Sequence, residues 1–112
     1  MAFEMTVGLL VNDQGAYARY RSEIAPLLER AGGAFRYDFE IARTLKSEAA
    51  HDINRVFVLQ FPSRQSKERF FVDPAYLEIR ARLFEKAVRG NTILAEADGA
   101  SANRGEPART PG

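Results

Sequence analysis

Apolar residues recur at every second position at the beginning of the chain. From Phe3 to Val11 every second residue is apolar, while Glu4, Thr6 and Gly8 occupy the positions between them. A period of two residues is typical of a β-strand with one buried face. The pattern therefore predicts a first strand over this stretch.

The period then changes to that of a helix. Asn12-Asp13 offers side-chain oxygens that could cap a helix N-terminus. The apolar stripe that follows comprises Tyr17, Tyr20, Ile24, Leu27 or Leu28, and Ala31. Gly32-Gly33 predicts the end of the helix. Pro26 lies inside it and removes a backbone donor, which predicts a kink or a break.

Two further strands are predicted in the middle of the chain. Aromatic and aliphatic residues alternate with charged ones from Phe35 to Ile41, and a polar connection, Lys46 to Asn54, precedes a third strand, Arg55 to Phe61. That third strand is apolar at odd and even positions alike. A strand of this kind is covered on both faces.

Two helical segments and a last strand are predicted after the third strand. Ser63 is a candidate N-cap for a short helix that reaches Phe71. Asp73-Pro74 predicts a second helix start, with aspartate as the cap and proline in the first turn. Arg89-Gly90 predicts the end of this helix, and Asn91 to Glu96 the last strand.

The order of elements is βαββαβ, with the second helical region split in two. This order indicates an α+β fold: a ferredoxin-like sandwich with a four-stranded antiparallel sheet and helices on one face. We expect this domain to span residues 1–96. Residues 97–112 contain no aliphatic side chain larger than alanine and no aromatic one, which predicts a flexible tail.

The third strand has a consequence for assembly. Val56 and Val58 share one face, whereas Phe57, Leu59 and Phe61 share the other. Leu10 and Leu94 add apolar bulk on the uncovered face of their strands. Because soluble monomers rarely expose a contiguous apolar patch, the pattern predicts a homodimer in which two sheets pack face to face.

Composition narrows the classes of function. The 112 residues include 16 Lys+Arg and 15 Asp+Glu, no Cys, no Trp and one His. A net charge of +1 disfavours a nucleic-acid partner, and the absence of Cys removes disulfides and thiolate chemistry.

No apolar run approaches the ~18–20 residues that cross a bilayer. The N-terminus lacks the pattern of a signal peptide. We therefore expect no membrane partner and a cytoplasmic location.

Five short stretches, taken in order, resemble a known family. They are Tyr17-Ala-Arg-Tyr-Arg21, Gly32-Gly33, Arg55-Val-Phe-Val-Leu-Gln-Phe-Pro-Ser63, Asp73-Pro-Ala-Tyr76 and the final Ile-Leu-Ala-Glu96. Together they resemble the domain of unknown function 1330 family, in the dimeric α/β barrel superfamily. The resemblance spans Thr6 to Glu96. It implies ferredoxin-like subunits that pair sheet to sheet into a dimeric barrel, and it carries no established reaction.

The superfamily implied by the resemblance includes cofactor-free monooxygenases, haem-degrading enzymes, lactone isomerases and decyclising enzymes. Haem-degrading members use a Trp, which this chain lacks. The sequence has Gln60 where the family often has Glu before the Phe-Pro-Ser turn. An amide cannot act as a general acid or base, so this departure puts catalysis at that position in doubt. The stretch from Arg36 to Asp52 also departs from the family pattern.

Three tyrosines are the principal candidates for a binding site. Tyr17, Tyr20 and Tyr76 lie on helix positions that face the sheet, where they could line a small-molecule cleft with hydroxyl groups at its edge. Arg55 and Gln60 could supply the polar end of the cleft. Ordinary core packing is the competing interpretation for the tyrosines, and pairing with a carboxylate is the competing one for Arg55.

Other polar residues are weaker candidates. His51 lies in the polar connection, where an exposed histidine is common, and its surroundings predict no metal site. Arg36, Asp38 and Glu40 would share a face of the second strand, which is more typical of a charged edge than of paired acid–base catalysis. The basic second helical region contains interspersed glutamates, such as Glu78 four residues before Arg82, and reads as a solvated face.

These observations lead to one functional hypothesis and two alternatives. The protein is expected to be a homodimer that binds a small organic ligand between helices and sheet, with no cofactor and no metal. Whether it is an enzyme stays open. The alternatives are a cofactor-independent monooxygenase or isomerase, and a non-catalytic accessory module.

Overall fold

The computed structural model describes residues 2–99 of the chain. The strands are β1 (Phe3–Val11), β2 (Ala34–Glu40), β3 (Arg55–Phe61) and β4 (Val88–Asp98). The helices are α1 (Gln14–Arg30), α2 (Arg64–Val72), α3 (Pro74–Ile79) and α4 (Glu85–Ala87), and a π-helical segment, Arg80–Phe84, joins the last two. Of the predicted tail, Ala97 and Asp98 belong to β4, and residues 100–112 lie outside the described range.

The four strands form one antiparallel sheet in the order β2-β3-β1-β4. Alternate residues of β1 and β3 are buried with the inner faces of α1, α2 and α3 in a single core. The predicted α+β, ferredoxin-like fold with a four-stranded antiparallel sheet is confirmed. Alternation was sufficient to predict it because each strand has one face against the helices.

Helix α1 follows its predicted pattern closely. The Asp13 carboxylate accepts a hydrogen bond from the Ala16 backbone N–H at 3.0 Å, and Gly32 adopts a φ of +79° just after the helix. Of the two outcomes predicted at Pro26, a kink or a break, the break does not occur, since α1 runs through this residue. Ser22, whose carbonyl loses its usual i+4 donor, is exposed, so water can satisfy that group.

The second helical region differs from its prediction at its end. Ser63 and Asp73 cap α2 and α3 as expected. The predicted helix end at Arg89-Gly90 is wrong, because β4 already begins at Val88. Gly90 is needed for close approach instead: a Cβ there would lie 2.3 Å from the His51 ring.

Strand β2 contains a bulge that changes which side chains share a face. Its register against β3 shifts between Phe35 and Tyr37. Arg36 consequently pairs with Glu4 at 2.7 Å, on the face away from the helices, whereas Asp38 pairs with Arg55 on the helix side. The predicted common face of Arg36, Asp38 and Glu40 is therefore wrong. One extra residue in a strand reverses the alternation that the prediction assumed.

The open face of the sheet is the one turned away from the helices. The connection between β2 and β3 lies partly across it: an Ile53 methyl group would contact a Cβ added at Gly8 at 2.8 Å. Tyr37 and Phe39 stack on this face with ring centroids 6.0 Å apart, and they are 49% and 51% exposed. As predicted, Val56 and Val58 share one face of β3 and Phe57, Leu59 and Phe61 share the other; the two valines are half-buried, and the other three are buried.

Candidate functional site

A cavity of about 380 Å³ lies between the helices and the sheet. The sheet contributes Met5, Val7, Leu9, Phe57, Leu59 and Ile93 to its wall, and the helices contribute Tyr20, Ile24, Phe70, Phe71, Tyr76 and Phe84. Cavities of ~300–1,000 Å³ with predominantly apolar walls are typical small-molecule sites. The cleft expected between helices and sheet is therefore present in the structure.

The polar end of the cavity is a pair of tyrosines with an arginine beside them. The hydroxyl oxygens of Tyr20 and Tyr76 lie 2.8 Å apart in a buried hydrogen bond. Arg80 Nη1 lies 3.4 Å from the Tyr76 hydroxyl oxygen, to which it donates. Side chains from α1, α3 and the π-helical segment thus meet at one point of a largely apolar wall, whose other polar residues are Lys67, Glu68 and Asn91.

Burial controls the protonation of the Tyr20 hydroxyl. Removal from water raises the pKa of the Tyr20 hydroxyl far above its ordinary value, and the neighbouring Tyr76 hydroxyl raises it further. Tyr20 therefore stays a neutral hydroxyl at physiological pH. It can donate or accept a hydrogen bond, but it is no general base.

The π-helical segment shapes the same wall. The Glu85 backbone N–H donates to the Arg80 carbonyl, five residues earlier. The wider turn keeps both Leu83 and Phe84 buried, and the Phe84 ring lies 4.9 Å from that of Tyr20. The Arg80 guanidinium stacks 4.5 Å from the centroid of the Phe84 ring. Single π-helical turns are frequent at functional sites.

The exposed lining residues locate the mouth of the cavity. Val72 is 68% and Ile93 51% exposed, so the cavity opens between the end of α2 and β4. Lys67 and Glu68 also line this side. The Lys67 ammonium lies 3.4 Å from a carboxylate oxygen of Glu96 on β4.

Of the five predicted site residues, the structure places Tyr20 and Tyr76 in the cavity wall. Tyr17 and Arg55 lie on the helix side of the sheet but belong to a separate charged cluster. Gln60 alternates with the buried Leu59 and Phe61, so its side chain is directed to the open face. The expected polar end made of Arg55 and Gln60 is therefore not found in this cavity.

The charged cluster is centred on Asp38. Arg55 Nε and Nη2 donate to the two carboxylate oxygens of Asp38 at 2.8 and 3.0 Å, and Arg21 also pairs with this carboxylate. The competing prediction, that Arg55 pairs with a carboxylate, is confirmed. The hydrogen bonds to Asp38 raise the pKa of Arg55, so Arg55 keeps its positive charge.

Tyr17 packs against this cluster with a hydroxyl that makes no hydrogen bond to residues 2–99. The Arg55 guanidinium carbon lies 4.8 Å from the centroid of the Tyr17 ring. Burial raises the pKa of Tyr17, and Arg55 partly opposes that rise. The Tyr17 ring therefore acts as an apolar and cation-binding surface for Arg55.

His51 is half-buried on the open face, where the prediction favoured an exposed side chain. Its Nε2 lies 2.7 Å from the Thr92 hydroxyl oxygen and its Nδ1 2.8 Å from the Asp52 carbonyl oxygen. The ring rests against Gly90, on the other side of the sheet from the cavity. Within residues 2–99, no group of His, Asp and Glu side chains is arranged to hold a metal ion.

Sequence reasoning missed Arg80 as a site residue. The sequence predicts a solvated face for the basic second helical region, and its outer part is one: Arg82 pairs with Glu78 at 2.8 Å, as the spacing predicts. Arg80, however, follows Tyr76 by four residues, which places both on one side of a helix. That spacing was the available signal.

A family model confirms the resemblance found in the sequence. It describes a domain of unknown function (DUF1330) and matches residues 5–97. The chain belongs to this family. No curated protein matches the sequence significantly.

Solved structures agree on the fold of this DUF1330 protein. One is a protein of unknown function from Rhodopseudomonas palustris, 20% identical, with a TM-score of 0.73 over 86% of this chain and 80% of that one. A dimeric protein of unknown function with a ferredoxin-like fold, from Bacteroides fragilis, is 8% identical, with a TM-score of 0.58 over 87% and 95%. A cofactor-independent oxygenase from Streptomyces nogalater is 14% identical, with a TM-score of 0.51 over 87% and 92%. At these identities the likeness concerns the fold alone.

No helix of residues 2–99 is long and apolar enough to span a membrane.

Proposed function

We propose that this protein binds a small, largely apolar organic molecule in the cavity between its helices and sheet. The observation that carries the proposal is a largely apolar wall in which the hydroxyls of Tyr20 and Tyr76 meet the guanidinium of Arg80. The other polar lining residues are Lys67, Glu68 and Asn91. Apolar surface supplies most of the affinity in such sites, and a few polar groups fix the orientation of the ligand. A cytoplasmic location belongs to the same proposal.

Filling the cavity tests this proposal. Leu59→Phe adds volume to the wall, whereas Leu77→Phe makes the same change on α3 at a residue that is 44% exposed. Binding of small neutral aromatic compounds, measured by calorimetry, should show one site per chain. We expect Leu59→Phe to weaken it at least tenfold and Leu77→Phe to leave it unchanged. Equal binding by both variants, or no binding by the original protein, would overturn the proposal.

We further propose that two copies pair through the open face. Tyr37, Phe39 and Leu94 are each about half exposed there, and a second sheet would remove them from water. The Bacteroides fragilis protein of the same fold is described as dimeric. Light scattering should give about 25 kDa, twice the 12.5 kDa of one chain. Phe39→Lys should lower this mass, and Leu77→Lys should not; a 12.5 kDa particle for the original protein would contradict the dimer.

A cofactor-independent oxygenase or isomerase is the second candidate function. Arg80 and the tyrosine hydroxyls could stabilise negative charge that develops on a substrate oxygen. Among the described lining residues, the carboxylate of Glu68 at the mouth is the candidate base. Turnover of phenolic or lactone substrates that is lost in Glu68→Gln would favour this candidate. Binding without turnover would favour the non-catalytic accessory module.

A further inference from the structure

We infer that the cavity selects an aromatic acid: a flat apolar ring system carrying one anionic oxygen group, which docks against Arg80 and the Tyr20–Tyr76 hydroxyls. The inference rests on the proposed function and makes it more specific, because a cavity for any apolar molecule needs no charge at its polar end. Three features of the site carry it.

The first feature is a hydroxyl donor for which residues 2–99 supply no acceptor. The two tyrosine hydroxyls carry two protons, and their mutual hydrogen bond uses one of them. Arg80 approaches Tyr76 as a donor and cannot accept the other. The pair therefore presents one O–H to the cavity, and only a hydrogen-bond acceptor can match it.

The second feature is the charge of the wall. Arg80 and Lys67 are the cations among the described lining residues, and Glu68 is the carboxylate. Lys67 is engaged by Glu96 at 3.4 Å, whereas the nearest ion-pair contact of Arg80 is at 3.9 Å, to the largely exposed Glu85. Such a contact in solvent is weak. Arg80 thus retains guanidinium donors for an anion, next to the spare hydroxyl.

The third feature is the aromatic character of the wall. The rings of Phe70 and Tyr76 lie 4.8 Å apart, and those of Phe71 and Tyr76 5.2 Å apart at 86° to each other. Phe35 and Phe57 from the sheet and Phe84 from the π-helical segment also line the wall. Faces and edges of rings at these angles favour contact with another flat ring.

The test compares two probes of nearly equal shape, naphthoate and naphthamide, on the full-length protein. The carboxylate accepts hydrogen bonds and carries a charge, whereas the amide is neutral. Because charge-assisted hydrogen bonds are about twice as strong as neutral ones, we expect naphthoate to bind at least about tenfold more tightly by calorimetry. Equal affinity for the two probes would overturn this inference and leave the proposed function standing. Failure of both probes to bind would overturn both.

Single substitutions then test whether Arg80 is responsible for the preference for naphthoate over naphthamide. Arg80→Gln should abolish the preference for naphthoate while naphthamide still binds, and Arg80→Lys should retain part of it. Arg82→Gln removes the same charge two residues away, on the outer surface, and should leave the preference intact. If Arg80→Gln keeps the full preference, or if Arg82→Gln loses it equally, Arg80 is not the recognition residue. Retained naphthamide binding shows that each variant is folded.

Discussion

Tyr17 and Tyr20 are two tyrosines of one helix face with nearly identical burial and different surroundings. Tyr17 is 0% and Tyr20 5% exposed, and their ring centroids are 5.6 Å apart. The hydroxyl of Tyr20 meets that of Tyr76 inside an apolar cavity, whereas the ring of Tyr17 supports Arg55 beside Asp38. Burial on the inner face of α1 therefore does not distinguish the two tyrosines. The partner of each side chain distinguishes a candidate site from a structural cluster.

The largest expected change in stability comes from the charged cluster of Asp38, against which Tyr17 packs. Asp38→Asn would leave Arg21 and Arg55 close together without their carboxylate, in a partly buried place. Removing one member of such a cluster leaves uncompensated charge, so we expect a loss of about 2 kcal/mol in the free energy of unfolding. Urea denaturation measures it. Naphthoate affinity of the folded variant should be unchanged, and a large loss of affinity would show that the two regions are not separate.

High pH should destabilise the protein through both tyrosines. Burial raises the pKa of Tyr17 and of Tyr20 above the value that they have in the unfolded chain. The folded state therefore holds these protons more tightly, so this stability is complete below about pH 10 and falls as the pH rises further. Each tyrosine contributes a slope of up to about 1.4 kcal/mol per pH unit. Urea titrations between neutral and alkaline pH should show a shallower decline in the free energy of unfolding for Tyr20→Phe than for the original protein. An identical decline would contradict the raised pKa of Tyr20.

The tyrosine pair should show energetic coupling that Tyr17 lacks. Tyr20→Phe and Tyr76→Phe each remove one half of a buried hydrogen bond, and each should cost about 1 kcal/mol. The double variant should cost less than the sum, because no hydroxyl then remains without its partner. Denaturation of the four proteins gives the coupling energy. Strict additivity would mean that the hydrogen bond contributes nothing.

The smallest effect is expected for Tyr17→Phe. Its hydroxyl is buried without a hydrogen bond to the described residues, so its removal relieves a desolvation cost while the ring stays to support Arg55. We expect a free energy of unfolding that is unchanged or raised by up to about 1 kcal/mol. Thermal denaturation beside Tyr20→Phe gives the comparison directly. A loss as large as that of Tyr20→Phe would reverse the assignment of the two tyrosines.

The sequence predicted what local periodicity determines. The alternation from Phe3 to Val11 and the stripe from Tyr17 to Leu28 were sufficient to place β1 and α1, since each element buries one face. Departures from regular periodicity could not be predicted. The bulge at Arg36 reverses the faces of β2, and the π-helical turn after Ile79 has no simple sequence signal.

The site was predictable in part for the same reason. Tyr20 and Tyr76 could be placed against the sheet because each belongs to an apolar stripe. Their meeting at 2.8 Å depends on how α1 and α3 cross, which a single sequence does not encode locally. The helical spacing allows either Ile79 or Arg80 on the apolar side of its helix, and charge favours exposure for Arg80; in the structure its stem follows the buried side.

The most direct test of the account is an NMR titration of the protein with naphthoate. If the ligand occupies the cavity, the methyl signals of Met5 and Leu59 and the side-chain signals of Arg80 should shift, since these groups line its wall. Ile41 and Leu94 border the open face, and their methyl signals should stay unchanged. Shifts confined to Ile41 and Leu94, or no shifts at all, would contradict the claim that this protein binds an aromatic acid between its helices and its sheet.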